Sequence, residues 1–170
     1  MSAENLIKRV ATGDKNAFEK LYNNYFKLVF ATAWSVTQNR CDAEDVTAEC
    51  FTIVWKKADT FNGSGGKSWL CRIAKNLALT LIAKRNRETI LEDNERGGYS
   101  DTEKDTENKM MLESALNVLT EKERETVLLF NSGLKHREIA EVLDEKLGTI
   151  TWRYSVALKK MRDFLESDYE

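Results

Sequence analysis

Residues 119–161, LTEKERETVLLFNSGLKHREIAEVLDEKLGTITWRYSVALKKM, constrain the fold more than any other stretch of the chain. Apolar residues recur there at three- and four-residue steps, and breaks at 131–133 and 144–146 cut the run into three helical pieces. In the third piece Leu147, Ile150, Tyr154, Ala157 and Met161 share one face, which predicts a helix buried on one side and free on the other. Two helices joined by a tight turn, the second with a free face, have the layout of a helix-turn-helix.

The rest of the chain agrees with an all-α fold, because proline is absent and alternating β-branched runs are scarce. A length of 170 residues holds one ordinary domain or two small ones. The charge distribution favours two. Residues 1–87 carry 14 basic and 8 acidic side chains, residues 88–108 carry 2 and 8, and residues 109–170 carry 10 and 12. The middle strip is polar, acidic and contains the pair Gly97-Gly98, so it buries little and is expected to be a flexible acidic linker. Two small helical domains, 1–87 and 109–170, are expected on either side of it.

Several classes of protein are disfavoured at this point. No run of eighteen apolar residues exists, and the opening residues carry Glu4, Lys8 and Arg9 with no apolar stretch behind a basic start. The expectation is a cytoplasmic protein without membrane insertion. Cys41, Cys50 and Cys71 are odd in number and widely spaced within helical patterns, which suits buried thiols better than disulfides. With His136 the one histidine, and far from them, no metal site and no cofactor are expected. The carboxylates fall on solvated faces or in the linker, so there is no catalytic constellation and the chain does not read as an enzyme.

Taken in order, the chain opens with a short amphipathic segment, Leu6, Ile7 and Val10 on one side, and then Asp14 stands where a helix N-cap would. Phe18, Leu21, Tyr22, Tyr25, Leu28, Val29, Thr32 and Ala33 form a long apolar stripe, read as core. Asp42 is expected to cap the next helix, with Glu44 and Asp45 near its positive end; Val46, Cys50, Ile53 and Val54 face inward, and Phe51 and Trp55 extend that side. Asp45 and Glu49 leave an acidic exposed strip. The glycine-rich stretch DTFNGSGGKS is not a phosphate loop, since Phe61 stands where that pattern needs a glycine. Residues 67–87 then hold six basic residues and no acid, a bias that attracts a polyanion. Trp69 at the start of this helix is either core or a stacking platform for an unpaired base.

In sequence order, GDKNAFEKLYNNYFKLVF, DAEDVTAECFTIVWKKADTF, WLCRIAKNLA, LTEKERETVLLF and GLKHREIAEVL followed by GTI resemble the extracytoplasmic-function group of bacterial RNA polymerase sigma factors, over nearly the whole chain. The resemblance implies a sigma region 2 helical bundle and a sigma region 4 helix-turn-helix, with core RNA polymerase and promoter DNA as partners and an anti-sigma factor as a third. It implies that residues 42–57 dock on the clamp coiled coil of the polymerase through Asp42, Glu44, Asp45, Glu49, Phe51 and Trp55. The following loop and helix would capture a base flipped from the minus-ten element, through Phe61, Asn62, Lys67, Trp69, Arg72, Lys75, Asn76, Lys84 and Arg85, and help to melt the duplex. The helix-turn-helix would meet the minus-thirty-five element through Lys135, Arg137, Thr149, Thr151, Trp152, Arg153, Ser155, Val156 and Lys159. The linker would pass through the RNA exit path.

The chain departs from the family pattern at several of these positions. Gly66 stands where an aromatic is common, Thr80 where aspartate is common, and Lys135 and Lys146 where serine caps are preferred. Thr151 and Val156 replace usual basic residues, which removes the two-hydrogen-bond pairing of arginine with guanine. That weak charge motivates a second reading, a polymerase-binding adaptor with reduced promoter reading, in which Arg153, Lys159 and Lys160 supply only phosphate contacts. A third is an ordinary helix-turn-helix repressor, which would need a dimer interface for paired half-sites.

Overall fold

A computed structural model describes residues 1–91 and 107–167, and every regular element among these residues is helical. The first module comprises α1 (Ala3–Ala11), α2 (Lys15–Thr37), α3 (Arg40–Lys57), a 3-10 turn (Ala58–Thr60) and α4 (Gly66–Leu91). The second comprises α5 (Glu107–Asn117), α6 (Glu121–Asn131), α7 (His136–Leu143) and α8 (Leu147–Ser167). The sequence between Leu91 and Glu107, most of the expected linker, lies outside the described residues, and α4 runs past the expected end of the first domain at residue 87.

Local capping starts these helices where short polar side chains reach free amides. Asp14 accepts from the Ala17 amide at 3.0 Å to open α2. The cap of α3 is Asn39 and not Asp42: Asn39 Oδ1 accepts from the Asp42 amide at 3.0 Å, so the helix begins earlier than expected. Thr120 and Glu123 form a reciprocal capping box for α6, the Thr120 amide donating to Glu123 at 2.9 Å. At Lys135 half of that device survives without a serine, because its amide donates to Glu138 Oε2 at 2.8 Å. Asp144 ends α7 in the left-handed conformation (φ 53°), making the tight turn into α8.

The core of the first module gathers Leu6, Ile7, Leu21, Phe51, Val54 and Leu70. Phe51 is 2% exposed, which corrects its expected place on a docking surface: it sits on the inward line of α3 one residue beyond Cys50. Gly66 has a packing reason as well. A Cβ there would lie 2.8 Å from Ala3 Cβ and 2.9 Å from the Glu4 nitrogen, so α4 starts pressed against α1. Its amide donates to Glu4 Oε1 at 2.9 Å, and this bond, ahead of the other contributions, holds the Glu4 carboxyl below its ordinary range.

The two modules share an apolar cluster. Leu28 of α2 and Cys71 of α4 pack with Leu129, Leu134, Ile139 and Ile150 of the second module, all buried. Burial of this kind contributes roughly 1.5–3 kcal/mol per large aliphatic side chain, before the entropy cost of ordering. A smaller cluster, Leu116, Leu119 and Ala157, fixes α5 against α8.

Candidate nucleic-acid interface

Phe61 and Asn62 precede α4, and the expected minus-ten residues within its first three turns divide between two neighbouring faces of the helix. On one face Trp69, Ile73, Asn76 and Leu77 join Ile53, Lys57 and Thr60 to line an open groove of about 250 Å³ between α3 and α4. Trp69 is half-buried against Phe61, with ring centroids 5.3 Å apart, so the tryptophan is both a wall of the groove and part of the packing. Ile53, Lys57 and Thr60 are additions that the sequence did not single out. The signal was present, since Lys57 is one turn beyond Ile53 and Thr60 directly precedes Phe61.

On the other face the cations are engaged. Lys67 Nζ donates to the Gly133 carbonyl at 3.2 Å, Ser68 Oγ to Glu141 at 3.1 Å, and Arg72 Nη2 to the Glu141 carbonyl at 2.8 Å. Lys75 Nζ pairs with Glu125 at 2.9 Å, with 21% and 13% of the side chains exposed. Asn62 and Lys84 are exposed, the latter 3.9 Å from Glu88. Arg85 turns back to α3, where Nη2 donates to Asp42 Oδ1 at 2.7 Å, and this bond raises the guanidinium above its ordinary value.

Among the residues expected to dock on the polymerase, Asp42 lies off the exposed surface of α3. Asp42 is 6% exposed and tied to Arg85, so it faces the first module's own interior instead of a partner. Asp45 and Glu49 are exposed, Glu44 is exposed and 3.0 Å from Arg40, and Trp55 is 37% exposed beside Phe18.

In the helix-turn-helix, α7 and α8 are held together by Phe130, His136 and Tyr154, whose rings lie 4.4–5.1 Å apart. Trp152 is 66% exposed and stands on the free face of α8 with Thr149, Thr151, Ser155 and Lys159. Lys135, the cap of α7, and Arg137 within that helix are exposed, and Val156 is half-buried. The hydroxyls of Thr151 and Ser155 donate back to the carbonyls of Leu147 (3.0 Å) and Thr151 (3.1 Å), which spends their donors inside the helix. Arg153 corrects the sequence-based expectation. It is 8% exposed, its Nη2 donates to Glu145, and that bond holds the Glu145 carboxyl below its ordinary value. Arg153 thus braces the turn before α8 and is not on the free face.

Lys160 is likewise committed, donating to both carboxylate oxygens of Glu123 at 2.9 Å. Burial alone would raise the Glu123 carboxyl, and the bonds from Lys160 and Thr120 outweigh it, leaving the value lowered. No helix among the described residues is long and apolar enough to cross a membrane, and none of their His, Cys, Asp and Glu side chains gather in threes as metal ligands would.

Residues 21–88 match the sequence family described as sigma-70 region 2, and residues 109–161 match the one described as sigma-70, region 4. The extracytoplasmic-function (ECF) RNA polymerase sigma factor SigE of Mycolicibacterium smegmatis is 31% identical over 167 residues, 91% of this chain and 65% of that protein. The chain thus spans just under two thirds of that relative's length. ECF RNA polymerase sigma factor SigK of Mycobacterium tuberculosis is 26% identical over 172 residues, 95% of this chain and 92% of the relative. Among solved structures, the sigma factor RpoE of Bartonella quintana, in complex with the anti-sigma factor NepR, superposes with a TM-score of 0.71 at 27% identity, over 89% of this chain and 98% of that one. CnrH, in complex with the cytosolic domain of CnrY, has a TM-score of 0.72 at 23% identity, over 98% and 99% of the two chains, and shows the shared fold.

Proposed function

We propose, from the premise that this chain belongs to the extracytoplasmic-function group of the sigma-70 family, that it directs core RNA polymerase to particular promoters and helps to open them. The observation that carries the reading is the groove between α3 and α4, where Trp69 and Asn76 would offer an indole ring and a side-chain amide to a single extruded base. A flipped base leaves a stacked duplex at a cost of a few kcal/mol, and a site that accepts only the extruded form returns part of that cost to the melted promoter. Asp45, Glu49 and Trp55 form the exposed part of α3 that would meet the polymerase. The free face of α8 would enter the major groove upstream, where Trp152 and the half-buried Val156 suit thymine methyls and groove shape more than guanine.

In this role the chain supplies recognition while phosphodiester synthesis belongs to the polymerase, and its place of work is the cytoplasm with the polymerase. An anti-sigma factor is proposed as a further partner, by analogy with the relative solved with NepR. The inward turn of Arg153 favours a second reading, an adaptor that docks on polymerase with weak upstream recognition. Mixing the chain with core polymerase and promoter fragments and mapping transcript starts tests both. Selective starts that shift in Asn76→Ala support the main reading; core binding without selective starts supports the adaptor, and no core binding overturns both.

A further inference from the structure

We propose that His136 is a positioning residue for upstream recognition: it holds the Thr151 hydroxyl towards α7, so that Thr151 presents its methyl group to a thymine in the major groove. This inference rests on the reading of the free face of α8 as the upstream base reader. His136 is the first residue of α7 and Thr151 begins the second turn of α8, and their side chains meet where the two helices pack. Thr151 Oγ1 lies 3.0 Å from the Leu147 carbonyl and 3.3 Å from His136 Nδ1.

One hydroxyl hydrogen cannot serve both contacts. The carbonyl can only accept, so the hydroxyl donates to it and in turn accepts from Nδ1–H of the imidazole. That choice fixes the neutral ring with its proton on Nδ1 and a lone pair on Nε2. The surroundings of Nε2 agree, because this atom is buried and has no hydrogen-bond partner among the described residues. In the other tautomer Nε2 would carry a buried N–H without an acceptor, the rarer kind of orphan in folded proteins, and the hydroxyl would lose its bond to Leu147. The imidazole itself is held by ring contacts, its centroid 5.1 Å from that of Phe130 and 5.0 Å from that of Tyr154.

Threonine in a helix divides between two side-chain orientations, since its oxygen can bond back to the preceding turn. The bond from His136 selects one of them. Thr151 is exposed, its oxygen is turned to α7 and its hydrogen is committed to Leu147, so the group left for a base to meet is the Cγ2 methyl. In the major groove a methyl group makes apolar contact with the C5-methyl of thymine and forms no hydrogen bond with any base edge. His136 thus acts on base choice through Thr151, without touching DNA itself.

His136 is the single histidine of the chain, so nitrogen NMR of its imidazole reads the tautomer in the full chain, without polymerase or DNA. The expected result is a proton on Nδ1, and a proton on Nε2 overturns the proposal. Recognition is measured with the complex of the full chain and core polymerase, on duplexes selected from a random upstream region. Each thymine is replaced in turn by uracil, which lacks only the methyl group. One replacement should weaken binding about fourfold, the contribution of one buried methyl group. Thr151→Ser, which removes the methyl on the protein side, should abolish the penalty at that same position.

His136→Phe keeps a ring against Phe130 and Tyr154 but lacks the donor, so it should erase most of the penalty at that position. His136→Asn keeps a donor close to the place of Nδ1–H and should restore it. Thermal melts check that each variant folds; if the phenylalanine variant does not, the tautomer and Thr151→Ser decide the question. A penalty unchanged in His136→Phe, lost equally in His136→Asn, or absent at every thymine in the unmodified chain overturns the proposal. Failure to bind core polymerase would instead remove the sigma-factor reading and the base-reading role with it, while the tautomer remains decided by NMR.

Discussion

Arg85 and Asp42 join the far part of α4 to the first turn of α3, with Nη2 of the arginine 2.7 Å from Oδ1 of the aspartate. The carboxylate is 8% exposed and the guanidinium 50%, so the pair forms a lid on the first module and not a contact reserved for a partner. Arg85→Ala should lower stability by about 1 kcal/mol, a figure reduced for screening of the half-exposed arginine. In urea unfolding, Arg85→Ala combined with Asp42→Asn should lose less than the sum of the two single changes. Full additivity would show that the two residues act separately.

Glu49 gives the opposite expectation. It is exposed on α3, so Glu49→Lys should leave the unfolding free energy within about 0.5 kcal/mol of the parent and weaken binding to core polymerase. Gel filtration with core polymerase reads the second effect, and unchanged co-elution at limiting concentration would remove Glu49 from the docking surface.

Gly66→Ala should destabilise the first module by roughly 1–3 kcal/mol, since the added methyl meets Ala3 Cβ at 2.8 Å and the Glu4 nitrogen at 2.9 Å, and the latter is backbone. A thermal melt is sufficient. A rise in stability would mean that α1 yields easily and that the glycine has another purpose.

Trp152 and Arg153 are adjacent in sequence and opposite in role. Trp152→Ala removes an exposed ring, so it should reduce recognition of the upstream element with little change in stability. Arg153→Ala leaves Glu145 without its main partner in the turn before α8 and should lower the melting temperature first. Promoter ranking by competitive binding, alongside melting curves, separates the two; identical behaviour of the variants would refute the division.

Acid should loosen the second module at Glu145. Its folded-state value is depressed, chiefly by the Arg153 hydrogen bond, so the pair stabilises the fold fully above the unfolded carboxylate value of about 4.3. That contribution fades as pH falls through the lower folded value. Glu145→Gln should be less stable than the parent near neutral pH and show a flatter loss between about pH 5 and pH 3. Parallel stability profiles for the two proteins would show that the carboxylate is not responsible.

Much of the architecture could be read from residue order. Asp14 as a cap, the breaks on either side of α7, and the buried line of Ile150 and Ala157 follow from contacts within four residues, which a helix fixes by its own period. Asn39 displaced Asp42 as the cap because either side chain fits the local chemistry and only the preceding turn decides between them. The groove between α3 and α4 was half legible: Trp69 and Asn76 lie on the helix that attracted notice, whereas Ile53 and Thr60 reach it from α3 and the turn that follows.

The sequence by itself determined the helices, their order, the two modules and the family, since periodicity, capping and motif spacing are local properties of the chain. Tertiary structure alone decided which charges are free. Asp42 finds Arg85 across 43 residues and Ser68 finds Glu141 across 73, while Arg153 turns inward beside an exposed Trp152. A cation carries the same charge in the sequence whether water, phosphate or a carboxylate will meet it. Packing selects the partner, because a charge taken from water must be paired where the fold places it.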